Sequence, residues 1–150
     1  MSKKSIILLC LLILSPIIIF FLWPTDESRI KKLFREGAKA IESRKIEDVM
    51  SKVSYNYTDE YGLNYIYMKE AMTRIFERMD TFSVEYKIIK IEIKEDAATA
   101  EVEVRVIASS GQDTGYIVGD AGKPVMMKFF LEKVRTKWLV NKTEGLKFVY

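Results

Sequence analysis

The chain begins with an unbroken apolar run. Ser5 to Trp23 reads SIILLCLLILSPIIIFFLW, nineteen residues without a charge, of which fourteen are Leu, Ile or Phe. As a helix it reaches about 28 Å, close to the ~30 Å hydrocarbon core of a bilayer. Pro16 predicts a kink, Pro24 an end, and Trp23 stands where interfacial aromatics gather. A cleaved leader would need a shorter apolar core and a small-x-small site, and neither follows Trp23. Residues 1–24 are therefore expected to be a transmembrane anchor, and residues 25–150 one domain.

Beyond Pro24 the pattern takes a helical period. Ile30, Leu33, Phe34, Gly37, Ala38 and Ile41 share one face of a helix predicted from Asp26 to Arg44, with Thr25 or Asp26 as its cap. A short helix from Ile46 to Lys52 turns Ile46, Val49 and Met50 inward. Val53 to Gly62 reads as a strand ending in a turn. A further helix, Leu63 to Met79, carries a stripe of Tyr65, Met68, Met72, Ile75, Phe76 and Met79, with Asn64 as a cap.

From Thr81 the period falls to two. Phe82, Val84, Tyr86 and Ile88 alternate with polar residues, and then Ile89, Ile91 and Ile93 take over. The switch predicts either a β-bulge that bends a long strand or a strand buried on both faces. A turn at Glu95-Asp96 leads into Ala98, Ala100, Val102, Val104 and Val106. Ser109 to Lys123, with four glycines, reads as a loop. Strands follow at Val125–Val134 and from Trp138 onward. Helices first and a meander after them predict an α+β fold, with helices packed on a curved antiparallel sheet.

Charge and composition narrow the chemistry. The net charge is +3, and Lys3 and Lys4 carry two of those charges, so the domain is nearly neutral and shows no footprint for nucleic acid. Histidine is absent and the one cysteine, Cys10, lies in the apolar run. The domain thus has no disulfide, no thiol nucleophile and no imidazole base. No metal site or cofactor is expected: Glu92, Glu101 and Glu103 read as members of a charged sheet surface paired with Lys and Arg. Lys3 and Lys4 before the anchor, against Asp26 and Glu27 after it, put the N-terminus in the cytoplasm and the domain outside, periplasmic in a bacterium. Asn56-Tyr57-Thr58 and Asn141-Lys142-Thr143 match the N-glycosylation tripeptide.

The order helix, short helix, strand, helix, four strands resembles the nuclear transport factor 2-like superfamily, whose cystatin-like cone wraps a bent sheet around a long helix. The local matches are Ile46-Glu47-Asp48-Val49-Met50-Ser51-Lys52-Val53, the Val53-Ser54-x-x-Tyr57-x-Asp59-x-x-Gly62 segment, and Trp138 at the start of the last strand. The resemblance implies a cone pocket, and Tyr55, Tyr57, Asp59, Tyr61 and Tyr65 are its candidate lining. A tyrosine hydroxyl beside a carboxylate is what polarising a carbonyl and moving a proton require, and ketosteroid isomerases of the superfamily resemble that arrangement. The bland reading packs Tyr55 and Tyr57 against helices and makes Asp59 a turn residue. Related dehydratases use histidine, and no second acid can be identified. The resemblance further implies a homodimer through the open sheet face, with Met126, Phe130 and Val134 as its patch. Three functions follow: a membrane-tethered binding module without catalysis, an isomerase- or dehydratase-type enzyme acting on an unknown small molecule, or an assembly component resembling VirB-type secretion proteins.

Overall fold

The computed structural model describes residues 3–146. Helix α1, Lys3–Leu22, includes Pro16 and buries none of its side chains. It is one helix long and apolar enough to cross a membrane. Helix α2 spans Asp26–Glu42, and its Thr25 cap accepts from the Ser28 amide at 3.2 Å. Asp26 and Glu27 occupy its first turn, where the positive end of the helix favours acids. Helix α3 is Ile46–Met50, strand β1 is Val53–Asp59, and helix α4 is Tyr65–Arg78. The expected Asn64 cap is in place, accepting from the Tyr67 amide at 3.0 Å.

Five more strands complete one sheet: β2 Thr81–Lys94, β3 Ala97–Ser110, β4 Asp113–Val118, β5 Val125–Val134 and β6 Lys137–Glu144. Their order is β1-β6-β5-β3-β2, with β4 added beside β3. The sheet is α+β with helices on one face, as expected, yet mixed: β1 pairs with β6 in parallel. The segment read as a loop, Ser109 to Lys123, contains β4. Asp113–Val118 shows no apolar alternation, and pairing with β3 from Val106 to Ser110 supplies the stability.

The bend in β2 is a bulge. Ile88 faces Val102 and Lys90 faces Glu101, so Ile89 is the extra residue, and it is 45% exposed. Burial on both faces is thereby excluded. A second register shift lies between Phe130 and Leu131 opposite β6, where Asn141 is the extra residue.

Two clusters fill the concave side. In one, Ile30 and Leu33 of α2 lie against Ala98, Ala100, Val102, Leu131, Trp138 and Val140. The alanines let the helix axis come close, and Ile30 is wholly buried. In the other, Ala40, Val49 and Phe76 meet Phe82, Val106, Ala108, Val118 and Met127. Edge-on ring contacts brace both: Phe34 on Phe129 at 5.0 Å and Phe76 on Phe82 at 5.2 Å.

Candidate functional site

The parallel β1–β6 pair brings Tyr57, Asp59 and Thr143 together at the edge of the first cluster. Tyr57 is 1% exposed, and its hydroxyl shares a hydrogen bond of 2.6 Å with Thr143 Oγ1. Burial pushes the Tyr57 hydroxyl up to about 12, the nearby Asp59 charge adds to the rise, and the Thr143 bond offsets part of it. A proton held that tightly stays on the phenol at neutral pH, so the hydroxyl can donate or accept a hydrogen bond but does not act as a base.

Asp59 is buried, and its Oδ1 accepts from the backbone amides of Tyr61 at 2.9 Å and Leu63 at 2.6 Å. It closes the turn that places Gly62 at φ +82. The carboxylate is thus engaged in shaping the β1–α4 connection. Thr143 is buried too, as is Asn141 Oδ1, which has no hydrogen-bond partner among the described residues.

The remaining candidate tyrosines lie elsewhere. Tyr55 is 85% exposed and Tyr61 68% exposed, while Tyr65 is half-buried. Tyr55 and Tyr65 pack ring to ring at 4.7 Å on the outer side of the β1–α4 junction. Burial raises the Tyr65 hydroxyl pKa, and Tyr55 adds to the rise. Tyr67 and Ile66 are also exposed there, so the junction carries a cluster of outward aromatic and aliphatic groups. Four clefts open between α2 and α3, along α4, beside Arg44, and at the end of α1. Tyr57, Asp59 and Thr143 line none of these.

On the opposite face of the sheet, Met126 and Val134 are exposed and Phe130 is half-buried. Lys128 and Lys142 each hold an ammonium 5.3 Å from the Phe130 ring centre. The patch expected to be apolar is therefore an aromatic ring framed by two cations. Ser54 and Glu132 hydrogen-bond on the β1 side of the sheet.

One constellation had only a local signal in the sequence. Asp26, expected as a helix-capping acid, also accepts from Trp138 Nε1 at 3.1 Å and pairs with Lys133 at 3.0 Å. The Lys133 hydrogen bond, ahead of that from Trp138, holds the Asp26 carboxyl below its ordinary value of 3.8, against a smaller opposing effect of burial. Arg29 donates to the Thr136 carbonyl at 3.1 Å. These contacts fasten the start of α2 to the β5–β6 hairpin. Among the described residues no group of three or more potential ligands is placed to hold a metal.

No family model matches the chain, and no curated protein matches it. Solved structures do. A candidate scytalone dehydratase from Novosphingobium aromaticivorans superposes with a TM-score of 0.70 at 14% identity, over 83% of this chain and 85% of its own. A nuclear transport factor 2-like protein of unknown function from Shewanella oneidensis gives 0.59 at 14% identity, over 79% and 97%. A ketosteroid isomerase-like protein from Erwinia carotovora atroseptica gives 0.61 at 14% identity, over 77% and 91%. At such identities the likeness is one of architecture: the chain has the nuclear transport factor 2-like cone fold.

Proposed function

We propose that this chain is a membrane-tethered cone domain that works by binding a protein partner and carries out no catalysis. Its first helix sits in the bilayer, its N-terminus faces the cytoplasm, and the domain stands on the far side. One observation carries the binding role: Tyr55, Tyr61, Ile66 and Tyr67 are all exposed around the β1–α4 junction. Clustered outward aromatics cost solubility, and they are the residue type that anchors protein interfaces. Inside the cone, the Tyr57 and Asp59 groups that could do chemistry are bonded to Thr143 and to backbone amides.

The test is a photo-crosslinking residue at position 67 of the full chain in its native membrane. A discrete adduct that fades with Tyr55→Ser and Tyr61→Ser supports the reading. Absence of any discrete adduct, or an adduct indifferent to both substitutions, overturns it.

A second reading, an isomerase- or dehydratase-type enzyme, draws on the closeness of Tyr57 and Asp59. It requires Tyr57 to exchange Thr143 for a substrate oxygen. A small molecule retained by the purified full chain and lost with Tyr57→Phe would favour this enzyme over the binding module.

A further inference from the structure

If α1 lies in hydrocarbon, the headgroup layer of the bilayer falls where that helix ends, between Leu22 and Asp26. A groove of about 640 Å³ opens at this level. Phe20, Phe21 and Trp23, all exposed, line it together with Arg29, Lys133 and Asp26, two cations against one acid. This is the side-chain order of a lipid interface, with aromatic rings toward the acyl chains and cations above them.

Three contacts join the hairpin that supplies Lys133 to the start of α2. Asp26 holds Lys133 and the Trp138 indole, and Arg29 holds the Thr136 carbonyl. The Lys133 ammonium also lies 5.7 Å from the Trp138 ring centre. The hairpin tip then presents Arg135 and Lys137, both exposed and, among the described residues, in no ion pair. Glu27, the other acid of the first α2 turn, is taken by Lys31 at 2.5 Å. Glu95 and Asp96 on the adjoining β2–β3 turn lessen the positive field without cancelling it, since Lys94 stands beside them.

We infer that this groove and hairpin tip form a binding site for the anionic headgroup of a phospholipid in the bilayer that α1 enters. Arg29 and Lys133 face the phosphate in the groove, and Arg135 and Lys137 hold neighbouring anionic headgroups at the rim. The inference rests on the tether proposed above, and it holds whichever side of the membrane the domain occupies. It gives the first α2 turn a role beyond linkage: the domain is held flat at a fixed height over charged lipid, not left to pivot on Pro24.

The experiment uses the full chain in vesicles of phosphatidylcholine mixed with phosphatidylglycerol, extracted in mild detergent, with retained lipid identified by native mass spectrometry. Retention of phosphatidylglycerol over phosphatidylcholine is expected to fall by about tenfold or more in Arg135→Glu/Lys137→Glu. Arg135→Lys should keep it, because charge and not fork geometry is at work. Equal retention of the two lipids by the unsubstituted chain overturns the site, as does a preference untouched by charge reversal. Flotation of the chain with vesicles under alkaline conditions reports the tether separately. A chain that fails to float overturns both readings; one that floats without lipid preference overturns only this one.

Discussion

The indole of Trp138 donates to the carboxylate of Asp26, joining the first residue of α2 to the second residue of β6 across most of the domain's sequence. The same carboxylate takes the Lys133 ammonium. A force applied to the apolar helix is therefore passed directly to the sheet through two strands, and the end of one helix does not bear it alone.

Asp26→Asn keeps a side-chain oxygen for the indole and removes the charge that Lys133 faces. Both partners are partly exposed, so the loss should be modest, about 0.5–1 kcal/mol. Asp26→Ala removes both bonds and should cost more. Thermal unfolding of the full chain in detergent ranks the three; equal midpoints would show that the clamp contributes nothing.

The pH dependence of this clamp has a definite sign. The folded Asp26 carboxyl lies below its ordinary 3.8, so its stabilisation is complete above that value and disappears as pH falls through the lower, folded one. The stability gap between the unsubstituted chain and Asp26→Asn should close on acidification below about pH 4. A gap that widened toward acid would contradict the assignment.

Tyr57→Phe keeps the ring in the core and leaves the buried Thr143 hydroxyl without its partner. The expected loss is about 1–2 kcal/mol. Tyr57→Phe combined with Thr143→Val removes both polar ends and should recover much of it. Chemical unfolding of the single and double variants decides the matter, since additive losses would mean the two hydroxyls are not coupled.

Gly145 has φ +86, and a Cβ built on it would stand 2.6 Å from the Met126 carbonyl oxygen. Its amide also donates to Glu60 Oε1 at 3.0 Å. Gly145→Ala therefore meets backbone strain and backbone contact together, and should cost about 1–3 kcal/mol. Amide exchange should quicken first at the start of β5, beside Met126. Unchanged protection there would refute the close approach.

Should the sheet face mate two copies of the chain, Phe130→Asp would set a carboxylate between Lys128 and Lys142 at its centre. Loss of the ring from the centre of the contact should split the dimer while leaving the fold intact. Sedimentation of the full chain in detergent reads the outcome, and an unchanged mass would remove Phe130 from any interface.

Local chemistry was legible from residue order because local forces set it. Thr25 and Asn64 cap helices because their oxygens reach amides within the next turn. The adjacent Ile88 and Ile89 mark a bulge because a pleated strand cannot turn both to one face. What could not be read depends on partners far along the chain. Nothing in β1 states that it pairs with β6 in parallel, and Asp113–Val118 has no pattern of its own that overrides its glycine-rich setting. Tyr55 and Tyr57 look alike in a row, yet only Tyr57 meets Ile30, Leu33 and Val140 as neighbours in the core. Their separation in environment comes from the irregularity in β1 between Val53 and Thr58, which breaks the two-residue alternation so that Ser54 and Tyr57 turn inward and Tyr55 outward.

The parallel pairing of β1 with β6 orders events during biosynthesis. Val53 must wait for Val140 before that edge can zip, whereas the greasy helix ahead of both is ready as soon as it leaves the ribosome. If that helix enters a bilayer, as proposed above, insertion would precede closure of the cone, and the domain would complete itself as a captive of the surface, with an open strand edge in the interval that a chaperone at the membrane would be suited to cover.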